Sequence, residues 1–151
     1  MAVSSLACVP LSEPQSGSSI LMASLMNDLD IQGTQSTPGV ISDWSRGCLH
    51  MEGNSYPENS FEFFSGIFTW IERYLDEGEA PLHLELALIY MNTSSVKAMM
   101  DIFDLMEEAH GKGRSVAVDW YFDPRNERVM EMAEEFREDY TFPFQILPRE
   151  V

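Results

Sequence analysis

The segment 82–104, LHLELALIYMNTSSVKAMMDIFD, constrains the fold of this chain more tightly than any other. Its first part, Leu82–Met91, is apolar nearly throughout, interrupted by His83 and Glu85, and reads as an interior strand covered on both faces. Three hydroxyl residues follow, Thr93, Ser94 and Ser95. A helical pattern then puts Val96, Met99, Met100, Phe103 and Met106 on one side and Lys97, Asp101, Asp104 and Glu108 on the other. A strand running directly into an amphipathic helix is the repeating unit of α/β sheets. The junction also sets a hydroxyl at a helix N-terminus, where free backbone N–H groups and the helix dipole favour an oxygen acceptor or a phosphate. A helix cap and a phosphorylation site are the two readings of this cluster.

The remaining pattern extends the same architecture. Residues 1–25 are rich in Ser and Pro and hold one charged residue, Glu13, whereas every Lys and Arg lies after Leu25. That shift marks a boundary near Met26, itself a candidate alternative start. The expectation is a poorly ordered arm over 1–25 and one domain over 26–151. Strand-like runs at 29–32, 40–44 and 48–52 are separated by Thr37-Pro38-Gly39 and Ser45-Arg46-Gly47, a spacing that predicts antiparallel hairpins. A helix is predicted over Ser60–Glu77, stopping at Gly78. Gly111 and Gly113 close the second helix, with Lys112 and Arg114 suiting its C-terminal dipole. A strand at 115–122, an acidic helix at 126–139 and a last strand at 142–147 complete the order β-β-β-α-β-α-β-α-β. Pro143 places that last strand near an edge. Two right-handed crossovers in the second half make those strands parallel. The expected fold is α/β, a mixed sheet packed by about three helices with antiparallel N-terminal strands.

Charge and motif content exclude several functions. With 25 acidic and 9 basic residues the net charge is −16, a field that repels nucleic acid and anionic membranes and attracts basic partners. No run reaches the length of a membrane span, and the first 25 residues carry no Lys or Arg for a secretory n-region, so the chain is expected to be cytoplasmic. Cys8 and Cys48 make no zinc or CxxC spacing, and free thiols in a reducing compartment are the simpler expectation. Nucleotide-binding, zinc-protease and serine-hydrolase motifs are absent. His50, His83 and His110 fall in or beside different elements and suggest no metal site, and no cofactor is expected.

Two further groups are candidates for partner contact. The first helix carries two apolar stripes: Phe61, Phe64, Phe68, Ile71 and Leu75, and beside them Phe63, Ile67, Trp70 and Tyr74. One stripe suffices to face a sheet, so the second is either buried against another helix or presented to a partner. Asp119, Asp123, Arg125, Asn126, Glu127 and Arg128 crowd the turn after 115–122. That strand is expected beside Leu82–Met91, which brings this polar rim toward Thr93.

The pieces GTQSTPGV, EGNSYPENSFEFF, YMNTSSVKAMMDIFDLMEEAH, YFDPRNERV and AEEFREDYTFPFQI occur in this order between 29 and 146. They resemble the SiaC-type regulatory phosphoproteins of bacteria, whose pattern begins near Met26 and leaves the N-terminal arm outside. Such proteins are similar to STAS domains, in which a phosphoacceptor hydroxyl follows a strand at the start of a helix. The resemblance implies that Thr93 of the N-T-S-S motif is the acceptor, ahead of Ser94 and Ser95. A serine/threonine kinase of the histidine-kinase-like ATPase type would modify it and a PP2C-type phosphatase would restore it.

The unmodified form would bind and activate a diguanylate cyclase, raising cyclic di-GMP and favouring biofilm, with no enzymatic activity of its own. Asn92 and Lys97 would support the phosphosite, Lys97 by pairing with the phosphate one turn on. The alternative is a STAS-like antagonist whose end target is the kinase or an anti-sigma partner. A small enzyme with a hydroxyl nucleophile lacks any visible base other than Lys97.

Overall fold

The computed structural model describes residues 28–149. Their order is β1 (Asp30–Ile31), β2 (Gly39–Asp43), β3 (Cys48–Ser55), α1 (Ser60–Glu77), β4 (Leu82–Met91), α2 (Thr93–Gly111), β5 (Val116–Phe122), α3 (Glu127–Glu138) and β6 (Phe144–Pro148). The expected α/β order and the helix over Ser60–Glu77 are present. The arm expected over 1–25 lies outside the described residues.

One six-stranded sheet runs β1-β2-β3-β4-β5-β6. β1, β2 and β3 pair antiparallel, as expected, and β3 to β6 are parallel. Three crossovers build that parallel half rather than two, because α1 also links parallel neighbours, β3 and β4. Gly47 makes the β2–β3 hairpin possible: its φ of 68° is in the left-handed region, and a side chain there would strike Pro81 O and the Tyr74 hydroxyl.

Strands that neighbour in sequence order and cross over right-handedly place every helix on one face. The register agrees. Val40, Leu49, Met51, Leu84, Leu86, Val118, Trp120 and Phe144 project together and share one buried core with the helices. The opposite face carries a row of Ile41, His50, Glu85, Asp119 and Gln145, and none of the described helices packs there. β4 is therefore not covered by helices on both sides, and His83 and Glu85 mark its second face.

Two local expectations change in three dimensions. Arg114 does not serve its own helix end. Its guanidinium donates to Tyr74 O (3.0 Å), Gly78 O (2.9 Å), Ala80 O (3.1 Å) and Leu75 O (3.3 Å), occupying carbonyls at the C-terminus of α1. Cys48 is buried and disulfide-bonded rather than a free thiol. Sequence spacing carries no information on sulfur-to-sulfur distance.

Candidate functional site

The site grows from the end of β4. Ser55 and Met91 are partners across the β3–β4 ladder, and the Asn92 N–H donates to Ser55 O at 3.0 Å. Asn92 is extended (φ −79°, ψ 175°), and its Oδ1 accepts from the Ser95 N–H at 2.9 Å. Asn92 is thus the N-cap, where a Thr or Ser cap was the simpler expectation. A side-chain carbonyl at that position reaches the third amide of the helix and leaves the hydroxyls inside the first turn.

Those three hydroxyls have different surroundings. Ser95 is fully buried, its Oγ 2.7 Å from Ser55 Oγ. Ser94 is exposed but engaged, 2.5 Å from Ser60 Oγ and donating to Asn92 Oδ1 at 3.1 Å. Thr93 is exposed, and its hydroxyl has no hydrogen-bond partner among the described residues. Lys97 points to Asp101, at 3.0 and 3.1 Å from its two oxygens, so in the unmodified protein the expected phosphate ligand is engaged elsewhere. Its side chain is 70% exposed, and a surface pair of this kind contributes at most about 1 kcal/mol and exchanges readily.

The electrostatic setting of this turn is unusual for an acidic chain. The first turn of α1 contains Glu62 and that of α3 contains Glu127, whereas α2 has no acidic residue in its first turn. The partial positive charge of the α2 N-terminus is therefore not met by any carboxylate on its own first turn.

An irregularity in the sheet shapes the surroundings. From Gly53 to Ser55, β3 advances two residues while β4 advances three, from Leu88 to Met91. The extra residue breaks the alternation, and Ile89 and Tyr90 are both turned out to solvent. Tyr90 meets Tyr56 edge-on with ring centroids 5.8 Å apart. Phe61, beside Ser60, is 83% exposed, and Met100 is exposed two turns along α2 from Thr93.

The aromatic stripe expected to face a partner lies elsewhere. Ile67, Trp70 and Tyr74 are buried and Phe63 is half-buried. Tyr74 stacks on Trp70 (5.4 Å), and Trp44 meets both rings edge-on. The neighbouring stripe yields the exposed ring instead, Phe61. Periodicity identifies an apolar arc but does not say where along the helix the sheet ends.

The polar turn after β5 is built as a local structure. Arg125 donates to both Asp123 oxygens (3.1 and 2.7 Å), and this pairing holds the Asp123 carboxyl down to about 2. Asn126 caps α3 by accepting from the Val129 N–H at 3.3 Å, and Arg128 is exposed. The turn shares a cavity of about 410 Å³ with Ile89, but Thr93 does not line it. The rim thus reaches the bulged end of β4 rather than the hydroxyl cluster.

Two of the three histidines, unlinked in sequence, meet carboxylates on the helix-free face. His50 Nδ1 lies 2.9 Å from Glu85 Oε1 and its Nε2 2.7 Å from Glu52 Oε1, while His83 Nε2 lies 2.7 Å from Asp119 Oδ2. The hydrogen bond to Glu85 is the largest cause of a raised His50 pKa. Among the described residues no three His, Cys, Asp or Glu side chains converge as a metal site. No described helix is long and apolar enough to cross a membrane.

Comparison with known proteins agrees with this architecture. The model of the SiaC family regulatory phosphoproteins matches residues 31–149. An uncharacterised protein of Pseudomonas aeruginosa strain UCBPP-PA14 is 60% identical over 121 residues, covering 80% of this chain and 96% of that protein. The crystal structure of diguanylate cyclase SiaD in complex with its activator SiaC from Pseudomonas aeruginosa contains a chain 59% identical, with a TM-score of 0.79 over 81% of this chain and 100% of that one. Apo-SiaC from the same organism is 58% identical, with a TM-score of 0.76 over 80% of this chain and 98% of that one. The chain belongs to the SiaC family of regulatory phosphoproteins.

Proposed function

We propose that this SiaC-family chain is a non-enzymatic switch: its unmodified form binds and activates a diguanylate cyclase, and phosphorylation of Thr93 ends that contact. The similarity to a SiaC chain in complex with the cyclase that it activates supports the choice of effector. The observation that carries the choice of residue is the contrast within the N-T-S-S segment. Ser94 and Ser95 are engaged by Ser60 and Ser55, and Thr93 alone offers an exposed, unengaged hydroxyl. A serine/threonine kinase would write the mark and a PP2C-type phosphatase would erase it.

The physical effect of the phosphate is local. It brings about −1.5 to −2 charges and three acceptor oxygens. The helix N-terminus accommodates it, since the α2 first turn has no carboxylate to repel it, and Lys97 can turn from Asp101 toward it. The fold is thus expected to persist. A cyclase surface packed over Thr93 would instead meet a hydrated dianion that must shed water. A cost of about 3 kcal/mol corresponds to a roughly 100-fold loss of affinity, enough for a switch.

The test is to incubate the full chain with its cognate kinase and ATP, locate phosphate by mass spectrometry, and titrate both forms against the cyclase. Phosphate on Thr93, absent from Thr93→Ala, with cyclase activation confined to the unmodified form, is the expected result. An active kinase that leaves Thr93 unmodified, or a phosphorylated form that still activates the cyclase fully, would sink the reading.

A further inference from the structure

The helix-free face of the sheet carries a line of ionisable groups that the proposed switch does not use. His50, Glu85 and Asp119 are in register across β3, β4 and β5, so two carboxylates stand side by side on adjacent strands. Both are buried, Glu85 at 1% exposure and Asp119 at 5%. Each meets an imidazole from the strand before it, His50 at Glu85 and His83 at Asp119. Glu85 Oε2 is buried and has no hydrogen-bond partner among the described residues.

The geometry at His50 fixes its charge. Nδ1 faces Glu85 Oε1 at 2.9 Å, and Nε2 faces Glu52 Oε1 at 2.7 Å. An ionised carboxylate only accepts, and a neutral imidazole has one N–H. Both contacts are hydrogen bonds only when the ring carries two protons. Without the second proton, one carboxylate oxygen faces a ring lone pair. That loss is severe at Glu85, whose other oxygen already lacks a partner and whose neighbour Asp119 adds like charge. The remaining groups around the ring come from every strand of the sheet. Glu52, Glu85 and Asp119 favour its positive charge, and His83 is occupied by Asp119. Asp30 of β1 and Arg149 after β6 line one cavity of about 490 Å³ with His50 and Glu52, the first favouring the charged ring and the second opposing it. β2 and β6 contribute Ile41 and Gln145 to the same row, and neither titrates.

We propose that Glu85, His50 and Glu52 form a proton-operated lock between β3 and β4, closed while the ring carries both protons and released when it loses one. The inference stands apart from the function proposed above. The same two strands end at Ser55 and Met91, and Ser55 O holds the Asn92 N–H, so the lock steadies the ladder on which the start of α2 is built. The hydrogen bond to Glu85 is the largest cause of the raised His50 pKa, and burial opposes it. The folded chain therefore binds this proton more tightly than the unfolded one. Above the carboxylate range, the stabilisation is fully present below the ordinary imidazole value of 6.5 and is lost as pH rises through the raised folded value.

The experiment has two readouts on the full chain. Urea unfolding of wild type and His50→Gln is compared from about pH 6 to about pH 9, the window in which a raised histidine titrates. Wild type is expected to have a roughly tenfold smaller unfolding constant at the acid end, the scale of a hydrogen bond to a charged group, and the gap should close toward the alkaline end. A gap that is absent, or that stays constant across this range, would overturn the lock. The second readout follows the histidine ring protons by NMR in wild type and Glu52→Gln, and it holds even where His50→Gln fails to fold. The Glu52 side chain is 60% exposed, so its substitution leaves the fold intact. One ring is expected to titrate above 6.5 and to move down in that variant, which identifies it as His50. If no ring does both, the proposal fails.

Discussion

The starts of α2 and α3 use the same local device and reach different ends. Each follows a parallel strand, and each is capped by an asparagine whose side chain accepts from the third amide, Asn92 from Ser95 and Asn126 from Val129. At α3 the charges are already matched. Glu127 occupies the first turn, and Asp123 is held by Arg125 just before it. At α2 the first turn has no acid, two hydroxyls are tied to α1 and β3, and the third is left exposed. Capping chemistry therefore builds both helices, but only α2 leaves its N-terminal dipole and an acceptor group available for a phosphate.

The largest effect should come at Thr93. Thr93→Glu, which places a carboxylate where α3 already has one, is expected to lower cyclase affinity toward the roughly 100-fold loss of the phosphorylated form while leaving the melting curve nearly unchanged. If affinity stayed at the wild-type value, the difference between the two helix starts would have no functional content.

A smaller effect separates the hydroxyls from one another. Ser95→Ala strands Ser55 Oγ in the core and should destabilise the fold by about 1–3 kcal/mol in urea unfolding, whereas Thr93→Ala should change stability by less than about 0.5 kcal/mol. Equal losses would erase the distinction between a structural hydroxyl and an available one. The smallest effect tests the caps themselves. Asn92→Ala and Asn126→Ala should each cost about 1 kcal/mol, the second less because its bond is 3.3 Å rather than 2.9 Å. Only Asn92→Ala is expected to slow kinase modification of Thr93 in a timed phosphorylation assay. Slowing by both would point to global loosening rather than to the geometry of one turn.

Much of the fold was legible in the residues. Leu82–Met91 and the helix over Ser60–Glu77 have the predicted bounds because an apolar run and a capped amphipathic period are local signals. Coverage of β4 was misread because a nearly continuous apolar strand does not reveal that sequential crossovers put all helices on one side. His83 and Glu85 were the visible hint, and their spacing of two assigns both to the second face. Around the candidate site, the N-T-S-S segment opens α2 as its sequence predicts, but the cap is Asn92 rather than a hydroxyl residue, and of the two readings of the Ile67, Trp70 and Tyr74 stripe the structure shows burial. No periodicity announces the bulge that exposes Ile89 and Tyr90, since it arises from a mismatch between two strands.

The sequence by itself determined the order of the elements, the hydroxyl cluster at the start of α2 and the acidity of the whole chain. Each depends on residues within a turn or two of one another, or on composition alone. Tertiary structure decided which hydroxyl is available, which aromatic rings are exposed, and that Arg114 binds the end of α1 rather than its own helix. Ser55, Ser60 and Tyr74 lie more than thirty residues from the groups they engage. Contacts over that distance are set by strand order and register, which place one part of the chain against another only once the sheet has formed.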